Sequence, residues 1–284
     1  MITGTALTLT LCVFFALFGP TRGWLRTVLG VVFGVAFFVC AWYTQWCICA
    51  YRTFSYDGER QLSKQIIDGT ADYITLPEGG IGLDIGCGSG ALTIACAKRN
   101  PQGKMIGIDR WGKEYASFSL PLCQNNATAE GVSNAEFQRG NAMKLDFPDE
   151  SFDAVTSNYV YHNISGADKQ QLLLETLRVL KKGGVFAIHD LMSPRRYGDM
   201  QAFTKRLKDM GYEQVTLVDT TDGKFMSKAE AKHLMLIGST LLVGKKNMGI
   251  REIHALIFDE TVVICLLLLW VVCFWCAGLR TIWR

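Results

Sequence analysis

The sequence predicts an α/β protein, a seven-stranded and mostly parallel sheet with helices on both faces, joined to transmembrane helices. Three observations predict it. Between about Phe54 and Lys246, short apolar runs alternate with helical patterns, the signature of βαβ units. A glycine-rich turn, Gly86-Cys87-Gly88-Ser89-Gly90, follows the first of those runs and opens a helix. Long uncharged segments, Ile2–Thr21, Thr27–Tyr51 and Thr261–Leu279, lie outside this region.

The expected strands are Ile81–Ile85, Lys104–Ile108, Ala135–Arg139, Ala154–Ser157, Val185–His189, Glu213–Val218 and Ser239–Val243. A helix over Ala167–Lys181 puts Leu173, Leu177 and Leu180 on one face and is expected to stop at Gly183-Gly184.

A bilayer core of about 30 Å takes roughly 20 apolar residues in a helix. Thr27–Tyr51 meets that length, with Trp42, Tyr43 and Trp46 near one end, where aromatic residues favour the interface. Thr261–Leu279 is just long enough and is flanked by Arg280, Trp283 and Arg284. Ile2–Phe18 is shorter, and with Thr27–Tyr51 it reads as a hairpin turning at Gly19–Arg26. Residues 1–52 are therefore expected to form an N-terminal transmembrane hairpin (about 2–18 and 27–51), 53–247 a soluble domain, and 248–284 a segment with a further span (about 261–279). Arg52, Arg60, Lys64, Lys245, Lys246 and Arg251 border the central domain and favour a cytoplasmic position for it. Arg22, Arg26, Arg280 and Arg284 pull the other way.

A net charge of +3, with no stripe of Lys and Arg, argues against a nucleic-acid partner. Of ten cysteines, seven (Cys12, Cys40, Cys47, Cys49, Cys265, Cys273, Cys276) sit in apolar segments, where they act as small hydrophobes. The others, Cys87, Cys96 and Cys123, lack metal-ligand spacing, so no metal site is expected and the chain reads as a reduced, cytosol-facing protein.

The chemistry concentrates in Leu83-Asp84-Ile85-Gly86-Cys87-Gly88-Ser89-Gly90. Gly86, Gly88 and Ala91 also satisfy the dinucleotide fingerprint, so the glycines alone leave two readings open. Asp84 separates them, because a carboxylate repels a pyrophosphate and attracts a cationic amino acid or sulfonium. Asp109 ends the second strand 19 residues beyond Gly90, where it could bond ribose hydroxyls. Asn141, after the third strand, could meet the adenine edge. All three fall at carboxyl ends of successive strands, where open α/β sheets bind ligands.

LDIGCGSG, IGID, GNA, DFPDESFDAVTSNYVYHNI and LRVLKKGGVFAIHD, in that order and spacing, resemble the class I S-adenosylmethionine-dependent methyltransferases, closest to their small-molecule and quinone-type C-methyltransferase branch. The resemblance covers roughly residues 54–246 and implies a Rossmann-like seven-stranded sheet with the last strand antiparallel. It implies S-adenosyl-L-methionine as cofactor, with Asp84, Gly86, Cys87, Gly88 and Gly90 at the methionine end. Asp109 and Arg110 are then expected at the ribose, Asn141 and Ala142 at the adenine, and Asn158 beside the reactive methyl. The chain departs from the family after Asp109, where Trp111-Gly112-Lys113-Glu114-Tyr115 and Ser119-Leu120-Pro121 replace an uninterrupted helix. Pro121 should break or delay that helix.

A base is needed only if the acceptor loses a proton. Candidates are Asn158 and His162 in the loop after the fourth strand, and His189-Asp190 at the end of the fifth. His162 serves either as base or as a fixture of the loop, and His189 as a polar residue at the rim. Tyr56 could close over the methyl donor, as N-terminal helices do in the resembling family. Membrane segments suggest a lipophilic small molecule or lipid as acceptor. Two other classes stay open: an NAD-dependent oxidoreductase, and a non-catalytic cofactor-binding membrane protein.

Overall fold

The computed structural model describes residues 6–11, 13–14, 23–113 and 117–248. The expected span Thr261–Leu279 lies outside the described residues, as do Cys12, Cys265, Cys273, Cys276, Glu114 and Tyr115. Of Ile2–Phe18, only 6–11 and 13–14 are described, and these are helical.

In chain order the elements begin with α1 (Gly23–Phe54), α2 (Leu62–Ala71), β1 (Ile81–Ile85), α3 (Ala91–Arg99), β2 (Lys104–Asp109), α4 (Leu120–Ala129) and β3 (Ala135–Arg139). Then come β4 (Phe152–Asn158), a 3₁₀ turn (Tyr161–Asn163), α5 (Lys169–Arg178), β5 (Leu180–Leu191), α6 (Pro194–Tyr197) and α7 (Met200–Asp209). The chain continues through β6 (Tyr212–Asp219), α8 (Lys228–His233) and β7 (Ser239–Lys246).

Contacts divide the chain into two units: residues up to Asp68 with Asp222–Leu236, and Gly69–Thr221 with the chain from Ile237 onward. In the first unit, α1 is a 32-residue helix with no buried residue, long and apolar enough to cross a membrane. The Trp46 indole donates to the His233 carbonyl oxygen at 2.8 Å. Arg60 pairs with Glu230 at 2.7 Å and donates to the Phe225 carbonyl. Glu230 also closes a capping box with Ser227 at the start of α8.

The second unit holds the sheet, in the order β3-β2-β1-β4-β5-β7-β6. All neighbours are parallel except β7, which runs antiparallel to both β5 and β6. Central strands are buried on both faces, as their near-continuous apolar sequence requires. Leu83, Ile85, Val155, Phe186, Ile188 and Leu242 join Leu173 and Leu177 of α5 and Phe203 and Leu207 of α7 in one core. Successive strands step outward on one side through β2 and β3, and on the other through β4 and β5. The winding therefore reverses between β1 and β4, the point at which open α/β sheets hold their ligand crevice, at the carboxyl ends of the strands.

Two local expectations need correction. The helix expected to reach Lys181 ends at Arg178, and Gly183-Gly184 lies inside β5 instead of capping a helix. Leu180 is wholly buried as the first residue of a strand paired with Phe152, so the sheet takes the residue that the helical spacing had claimed. Pro121 delays the helix as expected but also begins it: it occupies the first turn of α4, where an N–H is dispensable, and the Ser119 hydroxyl caps that end by accepting from the Leu122 amide.

At the opposite, amino-terminal end of the sheet two asparagines hold the connections. Asn100, 3% exposed, accepts from the Leu76 amide (2.7 Å) and donates to the carbonyls of Ile74 (3.0 Å) and Cys96 (2.9 Å). Asn134 donates to Ala97, Asn100 and Gly103. Asn100→Leu keeps the branched shape but strands buried backbone groups. It should lower stability by about 3 kcal/mol, read as a shift in urea midpoint at unchanged slope, with cofactor affinity retained.

Candidate active site

The crevice is bordered by the turn after β1 and the loop after β4, and side-chain volume sets how closely they meet. At Gly86 φ is +74°, and a Cβ there would lie 2.4 Å from Val160 Cγ2. Any larger residue would both strain the turn and push the β4 loop away. The Ser157 hydroxyl ties the two strands by donating to the Ile85 carbonyl at 2.8 Å. Gly90, φ +84°, precedes α3, and a Cβ there would meet the Phe137 ring at 2.8 Å.

Four of the turn's five amides are engaged within the protein. Gly86 and Cys87 donate to the Ile108 carbonyl, Gly90 to that of Cys87, and Gly88 to Asp109 Oδ2 at 2.9 Å. A pyrophosphate cradle needs such amides aimed at the ligand. Four of them here serve the protein, which removes the main attraction of the dinucleotide reading. Asp109 also accepts from the Trp111 amide at 2.8 Å, and the Trp111 indole returns to the Gly88 carbonyl at 2.9 Å. Trp111 adopts φ +46°, a strained backbone for an aromatic residue, so the departure after Asp109 builds a clasp over the glycine turn.

Asp84 is not at an open mouth. It is 1% exposed, and its carboxylate accepts from the Thr93 hydroxyl at 2.6 Å, in the first turn of α3. Burial pushes its carboxyl up to about 7, with the Asp109 charge adding and the Thr93 bonds opposing. Among the described residues no cation pairs with it. Cys87 is buried beside it, and its hydrogen bond with Cys123, together with burial, keeps its thiol protonated. Of the residues expected at the ribose and adenine, Arg110 is exposed, and its carbonyl accepts from Arg139. Asn141 is also exposed, with its side-chain oxygen closing a turn onto the Met143 amide at 3.0 Å. Ala142 packs partly buried against the core.

For His189, expected at the rim, the structure corrects the placement. It is 0% exposed, inside the sheet and not at a rim, and burial lowers its pKa to about 3 despite the Asp190 charge. A neutral ring suits its bonds. Nδ1 meets Asn158 Oδ1 at 2.8 Å, and Nε2 meets the hydroxyls of Ser239 (2.9 Å) and Thr220 (3.0 Å). Because Oδ1 can only accept, Nδ1 carries the proton, and the Asn158 amide group is left as a donor on its other side. Tyr159, held at φ +56°, bonds its hydroxyl to Ser239 at 2.7 Å. His189 therefore orients Asn158 and is in no state to move a proton at ordinary pH.

His162 stands in the 3₁₀ turn, and its Nδ1 lies 2.5 Å from Asp190 Oδ1. Asp190, named with His189 among the sequence candidates, is wholly buried; Thr93, Val160 and Tyr197 are contributors that sequence reasoning passed over, and Trp111 is one whose role it did not give. Only Trp111 left a signal, as a break in the family pattern. Tyr56, in the other unit, is 44% exposed.

A methyltransferase-domain family model matches residues 78–236, more than half of the chain. The chain belongs to the methyltransferase-domain family. Demethylmenaquinone methyltransferase from Listeria monocytogenes (serotype 4a) is 33% identical over 159 residues, 56% of this chain. The chain spans 61% of that relative's length. Geranyl diphosphate C-methyltransferase from Streptomyces coelicolor superposes with a TM-score of 0.51 at 14% identity, over 66% of this chain and 81% of the other. The cyclase SpnF superposes at 0.52 and 20% identity, over 67% and 83%. Both likenesses concern the fold. The cofactor of this methyltransferase is S-adenosylmethionine.

The residues present fit that cofactor. A buried carboxylate without a counter-ion favours a cationic ligand, and four engaged turn amides disfavour a phosphate one. A cation beside Asp84 favours its ionised form, so binding below about pH 7 must expel a proton. Affinity for S-adenosylmethionine should therefore rise with pH up to about 7 and level off above it, whereas Asp84→Asn should bind more weakly and lose that limb. Calorimetry in buffers of different ionisation enthalpy reads the proton directly. Gly86→Ala should lose binding at least a hundredfold, about 3 kcal/mol, because turn and β4 loop cannot both keep their places.

Proposed function

We propose that this methyltransferase moves a methyl group to a lipophilic, quinone-type acceptor drawn from a membrane, to which α1 anchors it. The observation that carries the reading is the pairing of a demethylmenaquinone methyltransferase as relative with a 32-residue apolar helix of which nothing is buried. A long-tailed quinone partitions into the bilayer, and an enzyme held there meets it at high local concentration. On this reading residues 1–52 and 248–284 serve the membrane and 53–247 the reaction, with the domain facing the cytoplasm, where the cofactor is supplied.

S-adenosylmethionine, when bound, supplies a methyl group on a positively charged sulfur, already activated for in-line displacement. The protein's share is orientation and exclusion of water. Asp84, Gly86, Cys87, Gly88 and Gly90 are assigned to the methionine end, Asp109 and Arg110 to the ribose, and Asn141 and Ala142 to the adenine. Asn158, its oxygen taken by His189, would offer its amide donors beside the methyl.

The full chain in phospholipid vesicles loaded with demethylmenaquinone, kept reduced, should yield a product carrying labelled methyl. It should also resist extraction with alkaline carbonate. Val35→Arg with Phe38→Arg, both on exposed positions of α1, should cost about 6 kcal/mol of insertion and release the protein. Turnover confined to water-soluble acceptors, or a wild-type chain washed off by carbonate, overturns the reading.

A further inference from the structure

Asp190 is built to hold one imidazole in one state. Its Oδ1 accepts from His162 Nδ1 (2.5 Å) and from the Leu191 amide (2.6 Å). Its Oδ2 accepts from the His162 amide (3.1 Å) and the Tyr197 hydroxyl (2.9 Å). His162 thus touches the carboxylate through both ring and backbone, which fixes the ring's position as well as its tautomer. Four donors on two oxygens keep the carboxylate ionised at 0% exposure. Burial pushes the Asp190 carboxyl up, but the hydrogen bonds from His162, Leu191 and Tyr197 outweigh it, and the group stays below the ordinary aspartate range. With the proton on Nδ1, the lone pair of Nε2 is left on a side chain 16% exposed.

This ring lies on the acceptor side of the crevice. Val160, two residues before it, is the group that presses on Gly86, and Asn158 ends the same strand. The titratable groups around His162 are Asp190 of β5, Tyr197 of α6, and Tyr159 and Tyr161 of its own loop. The phenols are all pushed up by burial and stay neutral, so Asp190 is the one charge among them.

We propose that His162 is the general base of methyl transfer, with Asp190 and Tyr197 as positioning residues, and that the acceptor therefore carries an acidic hydroxyl, as a quinol does. The inference rests on the methyl-transfer reading and adds the chemical class of the acceptor. An oxidised quinone ring is too electron-poor to attack an electrophilic methyl, whereas a quinol that loses a hydroxyl proton becomes a strong nucleophile at oxygen and at the ring carbon beside it. His162 Nε2 takes that proton. The acceptor's electron pair forms the new bond to the methyl carbon, and the carbon–sulfur pair leaves with the sulfur as a neutral thioether. For attack through carbon, the ring carbon then sheds its hydrogen as a proton and the oxygen regains one, so the net loss is one proton and no redox partner is consumed.

The test uses the full chain with reduced demethylmenaquinone bearing a short prenyl tail, alongside calorimetry with S-adenosylmethionine. His162→Gln should lower kcat by roughly a hundredfold or more, change its dependence on pH, and leave cofactor affinity within about twofold. The chain has four histidines, so ¹⁵N-histidine spectra can be assigned by substitution. Two rings, His189 and His162, should carry their proton on Nδ1, and the strongly downfield one should be absent in His162→Gln and displaced in Asp190→Asn. Where Asp190→Asn does not fold, the wild-type spectrum decides. His162→Gln with unchanged kcat and pH profile, or a wild-type His162 protonated on Nε2 alone, overturns the proposal while leaving methyl transfer intact. A wild type that neither binds S-adenosylmethionine nor methylates the quinol overturns the underlying reading instead.

Discussion

Where the sheet reverses its winding, β1 and β4 lie side by side, and the turn after one is pressed against the loop after the other. The contact is between a glycine that must be a glycine and a branched side chain: Gly86 at φ +74° and Val160, with 2.4 Å left for any added carbon. That closeness lets one short stretch, Asn158 to His162, stand beside a turn read as a cofactor site. Loosening it would separate the two halves of the proposed reaction without touching any group that takes part in the chemistry.

Charge around the crevice follows a simple division. Asp190 has four donors and remains ionised, and it spends that charge on His162. Asp84 is equally buried but has, among the described residues, one side-chain donor and no cation, so its proton is held up to about pH 7. His189 has no charge to manage, since burial keeps it neutral and two hydroxyls and an amide use up its ring. One acidic group is thus satisfied from within and the other is left for a positively charged visitor.

Much of this was legible in the chain itself. Glycine spacing and alternating apolar runs predicted the sheet and its seven strands. What failed to show was side-chain direction. Successive residues of a strand face opposite ways, so His189 and Asp190, adjacent in sequence, serve different partners on different sides of β5. Nothing in the string His-Asp says which of the two meets His162. Gly183-Gly184 misled for a related reason: glycines that end helices elsewhere sit here in a strand, because Leu180 is worth more buried against β4 than on a helix face. Trp111 was visible as a departure from the family pattern. Its return to Gly88 depends on a left-handed backbone that no spacing rule anticipates.

The most direct single measurement is to supply the full chain with S-adenosylmethionine labelled in its methyl group, add a lipid extract from its own membranes, and weigh the products. A transfer reaction on a membrane quinol predicts label in one organic-soluble species heavier by a single methylene than its precursor. Label found only in water-soluble material, or none transferred to any lipid, would contradict it.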